Sequence, residues 1–305
     1  QLEDFANTNA FRLLDRYRDT ACLFDDDIQG TGSVVLSGLL SSARITGRDL
    51  EDQTFLFLGA GEAGIGIASM IVAGLVDAGL DTAEARARCW FMDSKGLVVK
   101  SRSDLQAHKK AYAQDAPFLD DLLQAVDRIK PTALIGVSGV PRSFRKAVVQ
   151  RMAELNERPI IFALSNPTSK SECTARQAYQ WTDGKAVFAS GSPFDPVSVN
   201  RKTFVPGQAN NAYVFPGVGL GAIASQSRSI TDKMFFIAAK VLSEEVTEDD
   251  LKLGRIYPPF DRIREVSARI ATAVSEEAYR TGSARRERPD DIYEEILEYM
   301  FDPAY

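Results

Sequence analysis

Two groups of residues in this chain could do chemistry by type and spacing. Gly59, Gly61 and Gly64 form a G-x-G-x-x-G directly after the apolar run Phe55-Leu56-Phe57-Leu58. Ile65, Ala68, Ile71, Val72, Leu75 and Val76 then recur at helical spacing. Strand, glycine turn and helix are the context that a dinucleotide fingerprint requires. Gly59 allows the tight turn, Gly61 lets the backbone approach a pyrophosphate, and Gly64 lets the helix pack closely on the strand. The helix start offers unpaired N–H groups to the phosphates. Glycines used only for packing in another α/β protein would leave the same pattern. Glu62 is an unexpected neighbour for a phosphate, although an acid suits a positive helix end. The second group is acidic, Glu3-Asp4 and Asp25-Asp26-Asp27. Three carboxylates with free positions would suit Mg²⁺ or Mn²⁺, which take oxygen ligands. Solvated caps at helix ends account for such clusters equally well.

Composition sets the frame for both groups. With 305 residues, 45% hydrophobic and 26% charged, the chain can bury a substantial core as one large or two ordinary domains. A net charge of −6 argues against a general nucleic-acid partner, which needs a basic footprint. No apolar run approaches the roughly 18 residues of a membrane span. Cys22, Cys89 and Cys173 have no zinc-like spacing, and three thiols cannot all pair, so a reducing compartment is expected. Cytoplasm is the simplest reading, with an organelle matrix or stroma left open. The one histidine, His108, lies in a polar, lysine-rich stretch and reads as a surface residue. The chain opens at Gln1 without Met or a signal-peptide pattern, which raises the expectation of a trimmed piece.

The elements that must position these groups follow from periodicity. Residues 1–20 read as a helix, and a second runs from about Ser33 to Arg44. From about Leu50 strands and helices alternate. The expected strands are 55–58, 89–92 with a short extension at 97–99, 133–137, 159–164 and 186–189. The expected helices are one ending near Gly79 and those at 118–126, 144–155 and 174–181. That alternation predicts a Rossmann-type, doubly wound parallel sheet covered on both faces, with flanking N- and C-terminal helices. Thr231 caps a predicted helix with the stripe Met234, Ile237, Ala238, Val241 and Leu242, and a last pair spans about 260–279 and 290–300. The division expected is 1–49 as a helical segment with the acidic residues, 50–225 as the dinucleotide fold, and 226–305 as a helical extension.

In such sheets ligands sit beyond the carboxyl ends of the strands. The second strand ends at Asp93, the usual place for an acid that accepts ribose hydroxyls. The others end in Val137-Ser138-Gly139, Ser165-Asn166-Pro167 and Ser190-Gly191-Ser192. Small and polar residues at every end favour a cleft.

Taken together, several stretches resemble the malic enzymes. They are Glu3-Asp4-Phe5-Ala6-Asn7, Asp26-Asp27-Ile28-Gln29-Gly30-Thr31, Gly59-Ala60-Gly61-Glu62-Ala63, Asp93-Ser94-Lys95-Gly96-Leu97, Ser165-Asn166-Pro167-Thr168, Ser190-Gly191-Ser192-Pro193 and Pro206-Gly207-Gln208 through Asn210-Asn211. They cover nearly the whole chain, in order. The resemblance implies oxidative decarboxylation of malate to pyruvate and CO₂, with NADP or NAD and with Mg²⁺ or Mn²⁺. By position it makes Glu3, Asp4 and Asp27 the metal ligands and Asp26 the acidic neighbour of a catalytic lysine. Asn166 and Asn211 become substrate and nicotinamide contacts. The general-acid tyrosine, malate-binding arginine and general-base lysine of that family belong to an N-terminal region with no match among these 305 residues. The expectation is therefore the cofactor-binding portion of a homo-oligomeric enzyme, inactive alone, with a regulatory nucleotide-binding module as the alternative. On the coenzyme the signals conflict. Asp93 favours NAD, whereas Lys95, after Ser94, and Lys109-Lys110 favour the 2′-phosphate of NADP, as in the NADP-using members. The balance is read for NADP.

Overall fold

A computed structural model describes residues 1–5 and 7–301. Helix α1 (Asn7–Tyr17) comes first, then a π-helical turn at Asp26–Gly30 that runs directly into α2 (Thr31–Thr46). The alternating region follows: β1 (Phe55–Leu58), α3 (Glu62–Asp77), α4 (Thr82–Ala87), β2 (Cys89–Asp93), β3 (Gly96–Leu97), α5 (Ala107–Lys110), α6 (Leu122–Ile129), β4 (Ala133–Gly136), α7 (Lys146–Leu155), β5 (Ile160–Ala163), α8 (Ala175–Trp181) and β6 (Val187–Ser190). A hairpin of β7 (Val197–Val199) and β8 (Lys202–Phe204) precedes β9 (Gly207–Gln208). Five helices close the chain: α9 (Phe215–Ala224), α10 (Asp232–Glu244), α11 (Glu248–Lys252), α12 (Ile263–Arg280) and α13 (Ile292–Tyr299).

The sheet order is β3-β2-β1-β4-β5-β6-β9. Every pairing is parallel except β2 with β3. Chain order reverses between β1 and β4, which makes the crevice above that pair the topological switch point of a doubly wound fold. The strands are near-continuous apolar runs because both faces are covered. Phe55 and Phe57 face the core shared with α2, α3, α10 and α12, whereas Leu56 faces the opposite core with α6, α7 and α8. The first of these cores is continuous from Phe24 to Ala278.

Several expectations shift in detail. The extension at 97–99 turns back as the antiparallel strand β3, because Gly96, at φ +128°, reverses the chain after Asp93. Residues 118–121 stay outside the helix, which waits for Asp121, whose carboxylate caps Leu123 and Gln124 N–H. Leu2 lies outside any helix and forms a parallel bridge to Asp25. The hairpin and β9 went unread, since two- and three-residue strands carry too little periodicity to register.

Helix α9 lies close against α12. A Cβ on Gly217 would sit 2.6 Å from Ile270 Cβ and 2.9 Å from the Ser267 carbonyl, whereas one on Gly219 would meet open space. Gly217→Ala should therefore cost about 1–3 kcal/mol by overpacking. Gly219→Ala, in the same helix, should be neutral or stabilise by up to about 1 kcal/mol. Urea denaturation of the two variants checks this; equal effects would mean that α9 does not depend on that close approach.

Candidate dinucleotide and metal site

The glycine turn sits where the topology requires it. Gly59 has φ +116°, and a Cβ there would stand 2.6 Å from the Val137 carbonyl in the loop after β4. Gly64 is equally constrained, with a would-be Cβ 2.6 Å from the Gly59 carbonyl. The loops after β1 and β4 thus touch through backbone. Among the described residues no side-chain cap engages the first amides of α3, whose N-cap is Gly61. They stay available to a phosphate.

A cavity of about 700 Å³ opens above this turn. Its lining includes Gly59, Ala60, Gly61 and Glu62 from the turn, Asp93 and Ser94 from the end of β2, and Val137 and Ser138 from the end of β4. His108 and Lys109 also line it, so the histidine faces the cavity. Gly139, Lys95 and Lys110 are exposed and lie outside the lining. Ala63 lines a neighbouring cavity instead.

Asp93 is not a free acid. Arg102 donates to both of its oxygens, at 2.9 and 3.1 Å, and Lys109 Nζ donates at 2.9 Å. Arg102 also grips Asp104, which in turn holds Lys95 Nζ at 2.7 Å. Burial pushes the Asp93 carboxyl up, but the Arg102 and Lys109 hydrogen bonds and the Lys95 N–H outweigh it and bring it down to about 2. Arg102, which nothing in the sequence singled out, reaches Asp93 because β3 folds back along β2.

A second arrangement lies beyond Glu62, which lines both the dinucleotide cavity and a neighbouring one of about 510 Å³. Asp4 and Asp27 line that second cavity. Carboxylate oxygens of Glu3, Asp4 and Asp27 all lie within 4.8 Å of one another. The juxtaposition is tertiary. Leu2 N–H donates to the Phe24 carbonyl at 2.8 Å, Asp26 N–H donates to Leu2 at 3.0 Å, and Asp4 N–H donates to Asp27 Oδ2 at 2.8 Å. Asp4 takes φ +58° to do so.

Behind the triad Asp25 and Asp26 are fully buried, and Asp25 Oδ2 and Asp26 Oδ1 have no hydrogen-bond partner among the described residues. Gly30 leaves the room Asp26 occupies, since a Cβ there would overlap Asp26 Oδ1. Burial, then Glu3 and the flanking aspartates, push the Asp26 carboxyl up to about 8. Burial likewise raises Asp25 and Asp27. Clustered oxygens with uncompensated negative charge fit a hard divalent cation. Asn211 Nδ2 donates to Asp26 Oδ2 at 2.8 Å. Asp27, Asn166 and Asn211 share a further cavity of about 260 Å³. The acids, the two asparagines and the glycine turn, far apart in sequence, therefore lie in adjoining cavities.

The charge balance at Asp93 has a measurable consequence. Its folded-state pKa is lowered, so its contribution to stability is complete above the unfolded value of about 4 and is lost as pH falls towards 2. The wild type should lose about 2 kcal/mol more than Asp93→Asn between pH 5 and pH 2. Parallel pH slopes in urea titrations would show that the Arg102–Asp93–Lys109 cluster is not closed in solution.

Comparisons with known proteins agree with this geometry. The family model described as "Malic enzyme, NAD binding domain" matches residues 28–279. A protein of Vitis vinifera named NADP-dependent malic enzyme is 52% identical over the whole of this chain and 52% of its own length. A relative from Oryza sativa subsp. japonica, named NADP-dependent malic enzyme, chloroplastic, is 51% identical over the whole chain and 48% of its own length. The chain thus spans about half the length of the curated relatives it matches. Among solved structures, an Entamoeba histolytica malic enzyme superposes with a TM-score of 0.79 at 25% identity, over 97% of this chain and 57% of that one. One from Pyrococcus horikoshii superposes at 0.76 and 27%, over 97% and 65%. Switch-point cavity, glycine turn and whole-chain similarity place this protein in the malic enzyme NAD-binding domain family.

Proposed function

We propose that this chain supplies the dinucleotide- and metal-binding half of an enzyme that decarboxylates malate oxidatively to pyruvate and CO₂. One observation carries the reading: the dinucleotide cavity and the carboxylate triad adjoin through Glu62. Dinucleotide and metal-held substrate would therefore meet, as hydride transfer requires.

In this reading Gly59, Gly61 and Gly64 admit the pyrophosphate to the start of α3, and Val137, Ser138 and Gly139 flank the nicotinamide half. Glu3, Asp4 and Asp27 would hold Mg²⁺ or Mn²⁺. The bound cation would supply Lewis acidity toward the hydroxyl and carboxylate of malate. Asp26, anchored by Asn211, orients groups beside the triad, and Asn166 and Asn211 contact substrate or nicotinamide. The general acid and base come from outside these residues, so the 305-residue chain alone should bind ligands without ordinary turnover. We read the working enzyme as a homo-oligomer of the cytoplasm or of an organelle matrix or stroma. Residues 1–49, 50–225 and 226–305 divide the labour as metal segment, dinucleotide fold and helical support. No helix among the described residues is long and apolar enough to cross a membrane.

NADP is the preferred coenzyme in this reading. Asp93 would ordinarily repel a 2′-phosphate, but Arg102 and Lys109 already occupy its oxygens. Lys95 follows Ser94, which lines the cavity, and Lys110 follows Lys109, which also lines it. Both lysines are exposed, and in this reading Lys95 would leave Asp104 to meet the added charge. The relatives' names point the same way. A charge-assisted contact contributes about 1.5–3 kcal/mol, so NADP⁺ should bind about tenfold or more tightly than NAD⁺. Calorimetry should show that gap, and a Lys95→Ala, Lys110→Ala double variant should lose most of it. Tighter NAD⁺ binding, or an unchanged gap in the double variant, would reverse the assignment.

The triad has its own test. Mn²⁺ binding followed by electron paramagnetic resonance should weaken at least about tenfold in Asp27→Ala, on the scale of losing one charged ligand. An Asp49→Ala control should leave it unchanged. Equal Mn²⁺ affinities in wild type and Asp27→Ala would remove Asp27 from the ligand set.

A further inference from the structure

Outside the carboxylate cluster, the side chain that asks most for an explanation is Glu172. It is completely buried, and no lysine or arginine among the described residues pairs with it. Four donors surround its carboxylate instead. Ser138 gives its backbone N–H at 3.1 Å and its hydroxyl at 3.3 Å. Ser165 gives its backbone N–H at 3.3 Å and its hydroxyl through a short contact. Both hydroxyls are oriented by accepting an amide of their own, from Val140 N–H at 3.2 Å and Gly139 N–H at 2.8 Å respectively.

Those donors come from two different loops. Ser138 follows β4 and lines the dinucleotide cavity. Ser165 follows β5, and the next residue, Asn166, lines the cavity it shares with Asp27. Glu172 reaches both because β4 ends in Gly136, where a Cβ would stand 2.5 Å from the Glu172 carboxyl carbon. Its own backbone is pinned as well, since Phe144 N–H donates to the Glu172 carbonyl at 3.1 Å. Burying a carboxylate without a cation is unfavourable unless hydrogen bonds replace its water. A neutral, apolar residue would fill the same space at lower cost if packing were all that the position required.

The geometry points to Glu172 as a positioning residue for the nicotinamide half of the dinucleotide site, fixing the gap between the loop that would flank the nicotinamide and the loop that carries Asn166. This rests on the dinucleotide reading above and adds a residue that the reading does not use. The clamp acts only on the β4–β5 side of the switch point. The adenosine end would lie over the end of β2, at Asp93 and Ser94, away from that clamp.

That asymmetry provides the test. Glu172→Gln keeps the shape but turns one acceptor into a donor, which faces an N–H or hydroxyl donor of Ser138 or Ser165. Calorimetry would compare NADP⁺ with 2′,5′-ADP, which has the adenosine end and no nicotinamide. The variant should bind 2′,5′-ADP like wild type and NADP⁺ about tenfold more weakly. Equal weakening of both ligands would mean a general structural role, and an unchanged NADP⁺ affinity would mean no role; either overturns the inference. Should Glu172→Gln fail to fold, Ser165→Ala decides by the same comparison. It removes one donor and frees Gly139 N–H, and a loss confined to NADP⁺ is again the supporting result. Wild-type chain that bound neither ligand would instead sink the dinucleotide reading, and this inference with it.

Discussion

The site depends on a backbone contact with no side chain in it. The loops after β1 and β4 meet where Gly59 lies against the Val137 carbonyl. Because the sheet winds outward in opposite directions from these two strands, their loops part everywhere else, and the crevice between them is where a ligand can enter. A Cβ on Gly59 or Gly64 would push the loops apart or lift α3 off the strand. The same constraint aims the free amides of α3 into the cavity. Fold and binding site share one cause here, which is why fold-level reasoning reached the site at all.

Around that contact the protein treats two groups of acids in opposite ways. Asp93, at the end of β2, is saturated by Arg102 and Lys109, so it is presented to the cavity with its charge already balanced. Asp25, Asp26 and Asp27 receive no such partner among the described residues, and burial drives their pKa values upward. One cluster is electrostatically complete as it stands. The other is unfavourable as it stands, and an arriving cation would relieve it. That contrast in charge balance is what the proposed roles of the two clusters rest on.

The parallel sheet and the glycine turn were legible because long apolar strands and their flanking helices have a strong period. The carboxylate triad could be suspected from residue type, but its assembly depends on a bridge between Leu2 and Asp25 that no local pattern encodes. Arg102 was invisible for a related reason. Its partner lies nine residues back, across a reversal made by Gly96, and an arginine in a polar loop has no distinguishing spacing. His108 read as a surface residue because sequence context shows the polarity of a segment, not the direction in which a four-residue helix points. Glu172 illustrates the limit best. A glutamate between Ser171 and Cys173 reads as exposed by composition, and only the fold surrounds it with donors from two separate loops.

The bridge at Leu2 has a thermodynamic consequence. Two of the three triad carboxylates ride on a short segment held to the rest of the chain by three backbone N–H bonds, from Leu2, Asp26 and Asp4. Docking of that segment and assembly of the triad are therefore one equilibrium viewed from two ends. A cation that uses all three carboxylates binds only the docked population, so its apparent affinity is scaled by that population. By linkage the same cation tightens the segment's attachment by an equal free energy. The ion, in effect, would act as a clasp for the segment that carries its own ligands. Divalent-ion concentration would then set how firmly this edge of the domain is closed, quite apart from any chemistry at the site.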